Sequence, residues 1–134
     1  MNMLIVGGGK VGEYLAHLLT DAGHQVAVIE RRPDLQRRLH DALPGVAIIS
    51  GDGTDPLMLE AAGIRDANVV VAVTGADETN LVVASLARLE FTVPRTVARV
   101  NDPRNAWLYT ADMGVDVVMN QTDIMAHLLA NGIV

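Results

Sequence analysis

Short apolar runs alternate with segments of helical period along the whole chain. Asn2–Val6 reads as a buried strand that ends in a run of glycines. Residues 10–22 then place Val11, Tyr14, Leu15, Leu18 and Leu19 on one side of a helix, and Gly23 closes it. Gln25–Glu30 is a second strand. Pro33 opens the next helix, whose apolar face is Leu35, Leu39 and Leu43. Residues 46–49 form a third strand, and Asp55-Pro56 starts a short helix that reaches about Ala62.

The second half repeats the alternation. Residues 68–73 hold an unbroken run of β-branched and small apolar side chains, the pattern of a central strand covered on both faces. A helix over 77–90 and a strand over Arg95–Arg99 follow. Asp102-Pro103 caps a helix predicted to run to about Met113, residues 115–119 give a sixth strand, and 122–130 a last helix. Six strands with intervening helices and short loops predict an α/β fold with a doubly wound parallel sheet, ordered 3-2-1-4-5-6. No linker or repeat divides the chain, so residues 1–134 read as one domain.

In an open parallel sheet, ligands sit beyond the carboxyl ends of the strands, so the chemistry is sought there. After the first strand, Gly7, Gly8, Gly9, Lys10, Val11 and Gly12 spell G-x-G-x-x-G between a strand and a helix, the context that gives the motif meaning. Gly7 allows the tight turn, Gly9 lets the backbone approach a pyrophosphate, and Gly12 permits close helix–strand packing. The helix N-terminus offers free N–H groups to the phosphates. Lys10 is the only lysine, and it reads either as a phosphate contact or as a solvated first-turn residue. This is the Rossmann fingerprint.

Glu30 ends the second strand, 23 positions after Gly7, against the roughly 20 expected of a ribose-binding carboxylate. Its charge favours NAD or an adenine nucleotide over NADP. Arg31 and Arg32 pull the other way, because a neighbouring arginine accommodates a 2′-phosphate. Asp52 and Gly53 follow the third strand, with Asp52 a candidate acceptor for an adenine amino group and Thr54 a candidate cap for the next helix. Thr74, Gly75 and, one turn later, Asn80 face the switch point after the fourth strand, and Arg99 ends the fifth. Asp52, Asp77 and Asp102 also suit helix capping, and that reading is preferred for Asp102.

Composition narrows the function. The 134 residues are 50% hydrophobic and 19% charged, which is globular. A net charge of −6 and only 3% aromatics argue against nucleic acid as a partner. The chain has no cysteine, hence no disulfide or thiolate metal site. The first strand begins almost at Met1, leaving no room for a signal peptide, and no apolar run approaches a membrane span, so a cytoplasmic location is expected. There is no Tyr-x-x-x-Lys, no H-x-x-x-H and no G-x-S-x-G, so no catalytic residue is assigned. A nucleotide site without catalytic groups suggests a sensor; the alternative is a fragment of a small NAD(P)-dependent oxidoreductase.

Together these residues resemble the N-terminal nucleotide-binding domain of the regulators of potassium conductance, the TrkA-N or KTN family. The resemblance rests on Gly7–Gly12, Glu30, Gly51-Asp52-Gly53-Thr54, Thr74 with Asp77-Glu78-x-Asn80, Ala98-Arg99 before Asn101-x-Pro103, Leu108, and the strand Gly114-Val115-Asp116-Val117-Val118. It implies a regulatory domain that binds NAD(H), ATP or ADP and gates a membrane potassium transporter or channel subunit as a dimer or ring. It also implies that Gly7, Gly9, Gly12, Glu30, Asp52 and Thr74 contact the nucleotide. Lys10 and Arg99 match family arginines near phosphate. The family usually has Asp at the Glu30 position, and Glu does the same work with longer reach. Full regulators carry a further ligand-sensing domain. The helix within residues 120–134, with Ile124, Met125, Leu128 and Leu129, is similar to the family's crossover helix; the same periodicity also suits an ordinary cover of the sheet.

Overall fold

The computed structural model describes residues 1–132. Six parallel strands form one sheet in the order β3-β2-β1-β4-β5-β6. They are β1 (Asn2–Val6), β2 (Gln25–Glu30), β3 (Ala47–Ser50), β4 (Val69–Ala72), β5 (Arg95–Arg99) and β6 (Val117–Met119). The helices are α1 (Lys10–Asp21), α2 (Pro33–Ala42), α3 (Pro56–Ala61), α4 (Asp77–Ser85) and α5 (Gln121–Ala130). The predicted strand order is therefore the observed one, and element ends move by one or two residues.

Strand alternation builds a core on each face. Leu4 and Val6 of β1, with Val70 and Ala72 of β4, pack with Leu59, Val83, Ala87, Phe91 and Tyr109. Met3, Ile5, Val71 and Val73 point the other way, against Ala16, Leu39 and Leu43. The valine run is thus buried on both sides because β4 lies inside the sheet.

Three elements differ from the sequence expectation. The helix over 77–90 widens after Ser85 into a π-helical turn, Leu86–Glu90, where the Phe91 N–H donates to the Leu86 carbonyl. The helix expected over 102–113 is two 3₁₀ segments, Pro103–Leu108 and Ala111–Met113. Asp102 does cap the first, accepting from the Arg104 N–H at 3.0 Å. The Thr110 side chain starts the second, accepting from the Met113 N–H, and Gly114 ends it at φ +92°. Strand β6 begins at Val117, not 115, because the Asp116 carboxylate accepts the Thr96 N–H of β5 at 2.8 Å and pairs with Arg88 at 2.8 Å. A side chain there does what a ladder carbonyl does elsewhere. A 3₁₀ turn at Ile64–Asp66 was not anticipated.

All ten residues of α5 are exposed, so among the described residues its apolar side chains have no cover. The reading of α5 as a sheet-covering helix does not hold. Residues 133–134 of the predicted crossover segment lie outside the described residues.

The sheet delivers α1 to the site through one close approach. Gly7 lies at φ +113°, and an added Cβ there meets Thr74 N at 2.9 Å. A Cβ at Gly12 falls 1.8 Å from the Gly7 carbonyl oxygen. At Gly9 it meets only an Arg32 guanidinium nitrogen, at 4.0 Å. Denaturant unfolding should therefore separate two substitutions of the same chemistry: Gly12→Ala loses about 2–4 kcal/mol, whereas Gly9→Ala stays within roughly 1 kcal/mol of the parent.

Candidate functional site

The strand order reverses between β1 and β4, and a crevice opens there at the carboxyl ends. It is lined by Gly7 after β1, by Glu30, Arg31 and Arg32 after β2, by Gly51, Asp52, Gly53 and Thr54 after β3, and by Thr74, Gly75, Ala76 and Thr79 after β4. Four strand ends thus converge, as the parallel register requires: Val6 pairs with Ile29 and Ala72, and Glu30 with Ser50.

Glu30 is the chemical centre of this crevice. It is 4% exposed. Its Oε1 accepts from the Gly8 N–H at 2.9 Å and from Arg32 Nη2 at 2.8 Å. Its Oε2 accepts from the Arg32 N–H at 3.0 Å and from Arg32 Nε at 3.2 Å. Burial alone raises a carboxyl pKa, but these donors overcome it and hold Glu30 at about 2. Gln36 braces the same strand end, donating to the Glu30 carbonyl at 2.7 Å and to Ser50 Oγ at 2.9 Å.

Asp52 turns its own loop. Its Oδ1 accepts from Thr54 N–H at 2.9 Å and from Thr54 Oγ1 at 2.8 Å, and these bonds lower its pKa. Thr54 is therefore spent on Asp52 and does not cap α3. Asp55 does, accepting from the Leu57 N–H at 3.0 Å.

The β4 loop is braced from within. Asn80 is fully buried, and its Oδ1 accepts from Thr74 N–H at 2.9 Å and Thr74 Oγ1 at 2.7 Å. Its Nδ2 donates to the carbonyls of Thr74 at 3.0 Å and Arg99 at 2.9 Å. Asn80 is thereby a brace that shapes the loop rather than a group facing the crevice. The capping reading weighed for Asp77 does not hold for α4: its carboxylate crosses to the loop after β5. It accepts from the N–H groups of Asn101 and Asp102 and from the Asn105 side chain, which together outweigh burial and lower its pKa. The Tyr109 hydroxyl completes the tie, donating to the Asp77 carbonyl at 2.6 Å.

The remaining predicted residues divide. Gly9 and Gly12 set the entry to α1. Val11 packs on the second core. Lys10 is exposed and lies on the outer side of α1, in a groove with Glu13, Tyr14 and Arg38. Arg99 lends its carbonyl to Asn80, and it does not line the crevice. Five of these lining residues were not selected as binding residues from sequence: Arg32, Gly51, Thr54, Ala76 and Thr79. Thr79 sits in the first turn of α4, a position that the helix start after Gly75 marks. Arg32 was noted only as a neighbour of Glu30.

Helix starts explain what the crevice can hold. Helices α3 and α5 are capped by their own side chains, Asp55 and Asn120. Helices α1 and α4, which begin at the switch point, have no side-chain cap, and neither does α2, which starts instead on Pro33. Uncapped N–H groups and a positive dipole end at an open glycine suit an anion. A buried carboxylate one strand away suits hydroxyl donors. The space that a Gly9 Cβ would fill is free of backbone, which fits a phosphate approaching the turn.

Fold and crevice define a Rossmann-type nucleotide-binding domain. More particularly, the chain belongs to the TrkA-N domain family, whose model matches residues 3–121. It is similar to the Trk system potassium uptake protein TrkA of Mycobacterium tuberculosis, 39% identical over 133 residues. That match covers 99% of this chain and 60% of the relative, so the chain spans about three fifths of that protein's length. Among solved structures it resembles GsuK bound to ADP, with TM-score 0.79 and 27% identity over 97% of this chain and 33% of the other. It also resembles the Shewanella denitrificans Kef CTD in its AMP-bound form, with TM-score 0.78 and 26% identity over 96% of this chain and 77% of the other.

The low pKa of Glu30 gives a signed test. A carboxylate held at about 2 in the fold and near 4.5 when unfolded stabilises the fold fully above pH 4.5. That contribution is lost as pH falls from 4.5 toward 2. The stability difference between the parent and Glu30→Gln should therefore shrink over this window, by on the order of 2 kcal/mol, in urea titrations at successive pH values. Asn80→Ala, by stranding the buried Thr74 and Arg99 groups, should cost about 2–4 kcal/mol in the same assay at neutral pH.

Proposed function

We propose that this domain is the nucleotide-sensing part of a cytoplasmic regulator that gates a membrane potassium transporter or channel. Its ligand is an adenine nucleotide, NAD(H) or ATP/ADP. The observation that carries the reading is a buried ionised carboxylate hydrogen-bonded to the glycine turn, whose Gly7 lines the same crevice and from which the uncapped α1 starts. The carboxylate takes ribose hydroxyls, and the turn and α1 take phosphate. Further support comes from the relatives: a potassium uptake protein, and neighbours solved with ADP and AMP.

In this reading the domain binds and does not catalyse. The crevice brings together no nucleophile–base pair, and its one strongly perturbed acid is held ionised by hydrogen bonds. Bound ligand joins the Gly7–Gly12 turn to the Thr74 loop, and the Asp77 and Asn80 bonds carry any movement of that loop to the end of β5. Ligands that differ in affinity between two arrangements bias them, typically by 1–3 kcal/mol. The exposed apolar residues Ile124, Met125, Leu128 and Leu129 of α5 pack against a second copy, which gives the domain a dimer or ring to act through. Among the described residues no helix is long and apolar enough to cross a membrane.

Thermal unfolding against NAD, NADH, NADP, ATP, ADP and AMP tests the assignment. A ligand at 100 times its Kd adds about 2.7 kcal/mol. Shifts with NAD(H), ATP or ADP are expected, and Gly9→Asp, which sets a carboxylate where phosphate approaches, should abolish them while keeping the fold. Shifts with NADP alone, or undiminished shifts in Gly9→Asp, would overturn the site.

A further inference from the structure

The Glu30 carboxylate already has a full set of donors. A carboxylate offers about four acceptor positions. Here the backbone N–H groups of Gly8 and Arg32 fill two, and the Arg32 guanidinium fills the other two, one on each oxygen. The Arg32 side chain is 54% exposed while Glu30 is 4% exposed, so the guanidinium is the outer cover of a buried acceptor. It also reaches over the glycine turn, 4.0 Å from the position of a Gly9 Cβ.

We propose that Arg32 is a displaceable stand-in for the ligand's ribose. This deepens the nucleotide reading above and rests on it. A ribose 2′,3′-diol brings two O–H donors, the number that the guanidinium places on the two oxygens. Binding is thus an exchange, two hydroxyls for Nε and Nη2, with the two backbone donors unchanged. The exchange has two consequences. The carboxylate is never left bare, so the free domain carries no buried unpaired charge. The apparent affinity for ribose-bearing ligands is lowered by the strength of the Arg32 pair, and Arg32 thereby sets the concentration at which the domain responds.

The pair is half-exposed, which puts its strength in the range of surface ion pairs, so the effect on Kd is moderate. Removing Arg32 should tighten binding although it removes a positive charge from an anion site. That sign separates a stand-in from an ordinary phosphate contact.

Calorimetric titration of the parent, Arg32→Ala and Arg32→Lys with ADP, NAD and inorganic pyrophosphate provides the test. All three proteins retain the backbone donors to Glu30, and an unchanged circular dichroism spectrum checks the fold. Arg32→Ala should bind ADP and NAD roughly threefold to tenfold tighter than the parent, and Arg32→Lys, which keeps charge but lacks the fork, should lie between. Pyrophosphate, which has no diol, should gain nothing. In the parent, the Arg32 Nε–H NMR resonance should shift on ADP addition as its bond to Glu30 breaks. Equal or weaker ADP and NAD binding by Arg32→Ala, or an unmoved Nε–H resonance in an ADP-saturated parent, overturns the stand-in and leaves the nucleotide site intact. Failure of ADP and NAD to bind any of the three proteins overturns the nucleotide reading and the stand-in with it.

Discussion

The contact between α1 and the turn before it governs the site. Gly12 lies so close to the Gly7 carbonyl that no side chain fits between them. Only with that approach does α1 leave the sheet at an angle that brings its N-terminus to the switch point. The same geometry turns the Gly8 N–H onto the Glu30 carboxylate and leaves Gly9 clear of other backbone, with an Arg32 nitrogen 4.0 Å from where a Cβ would lie. One backbone constraint therefore fixes the helix dipole, the orientation of the acidic group and the free volume between them.

The opposite wall of the crevice is held by side chains. Asn80 ties the β4 loop to itself and to β5, and Asp77 ties it to the loop after β5. Each group is buried or half-buried, and each is satisfied by several partners, so a half-made network would cost more than none. The two walls thus differ in kind. The glycine wall is rigid because its atoms touch. The Thr74 wall is rigid because its polar groups share partners, and such a set can exchange partners as a unit. In the function proposed above, the second wall is the side that would pass a ligand's presence toward β5.

Electrostatics sharpen the division. The chain is acidic overall, yet Arg31 and Arg32 flank the one buried carboxylate of the crevice. Arg32 neutralises Glu30 locally, which is how an ionised group lies so deep without a large desolvation penalty. The apolar face of α5 is the counterpart on the outside. It is hydrophobic, yet among the described residues it joins neither core.

Much of this was legible in the sequence, for reasons that are local. The valine run of β4, the glycine spacing and the Glu30 position follow from strand burial, turn sterics and chain reach, all of which act over a few residues. Strand order followed because parallel crossovers permit few arrangements. Misread elements were those whose shape depends on distant partners. The helix expected over 102–113 broke into 3₁₀ turns, with Thr110 starting the second, Gly114 ending it, and Asp77, 25 residues before Asp102, holding the Asp102 N–H. Strand β6 lost its first residues to the Asp116 side chain. Asn80 was selected for its position after β4, and only the tertiary structure shows its side chain buried and bonded to Thr74 and Arg99. Lys10, which the sequence left open between a phosphate contact and a solvated first-turn residue, is exposed in a groove with Glu13, Tyr14 and Arg38. The sequence by itself determined the sheet, the glycine turn and the acid that faces it, because hydrophobic period and backbone sterics are short-ranged. Tertiary structure alone decided which polar groups are spent inside the protein and which remain for a ligand, because hydrogen-bond partners are chosen in space and not along the chain.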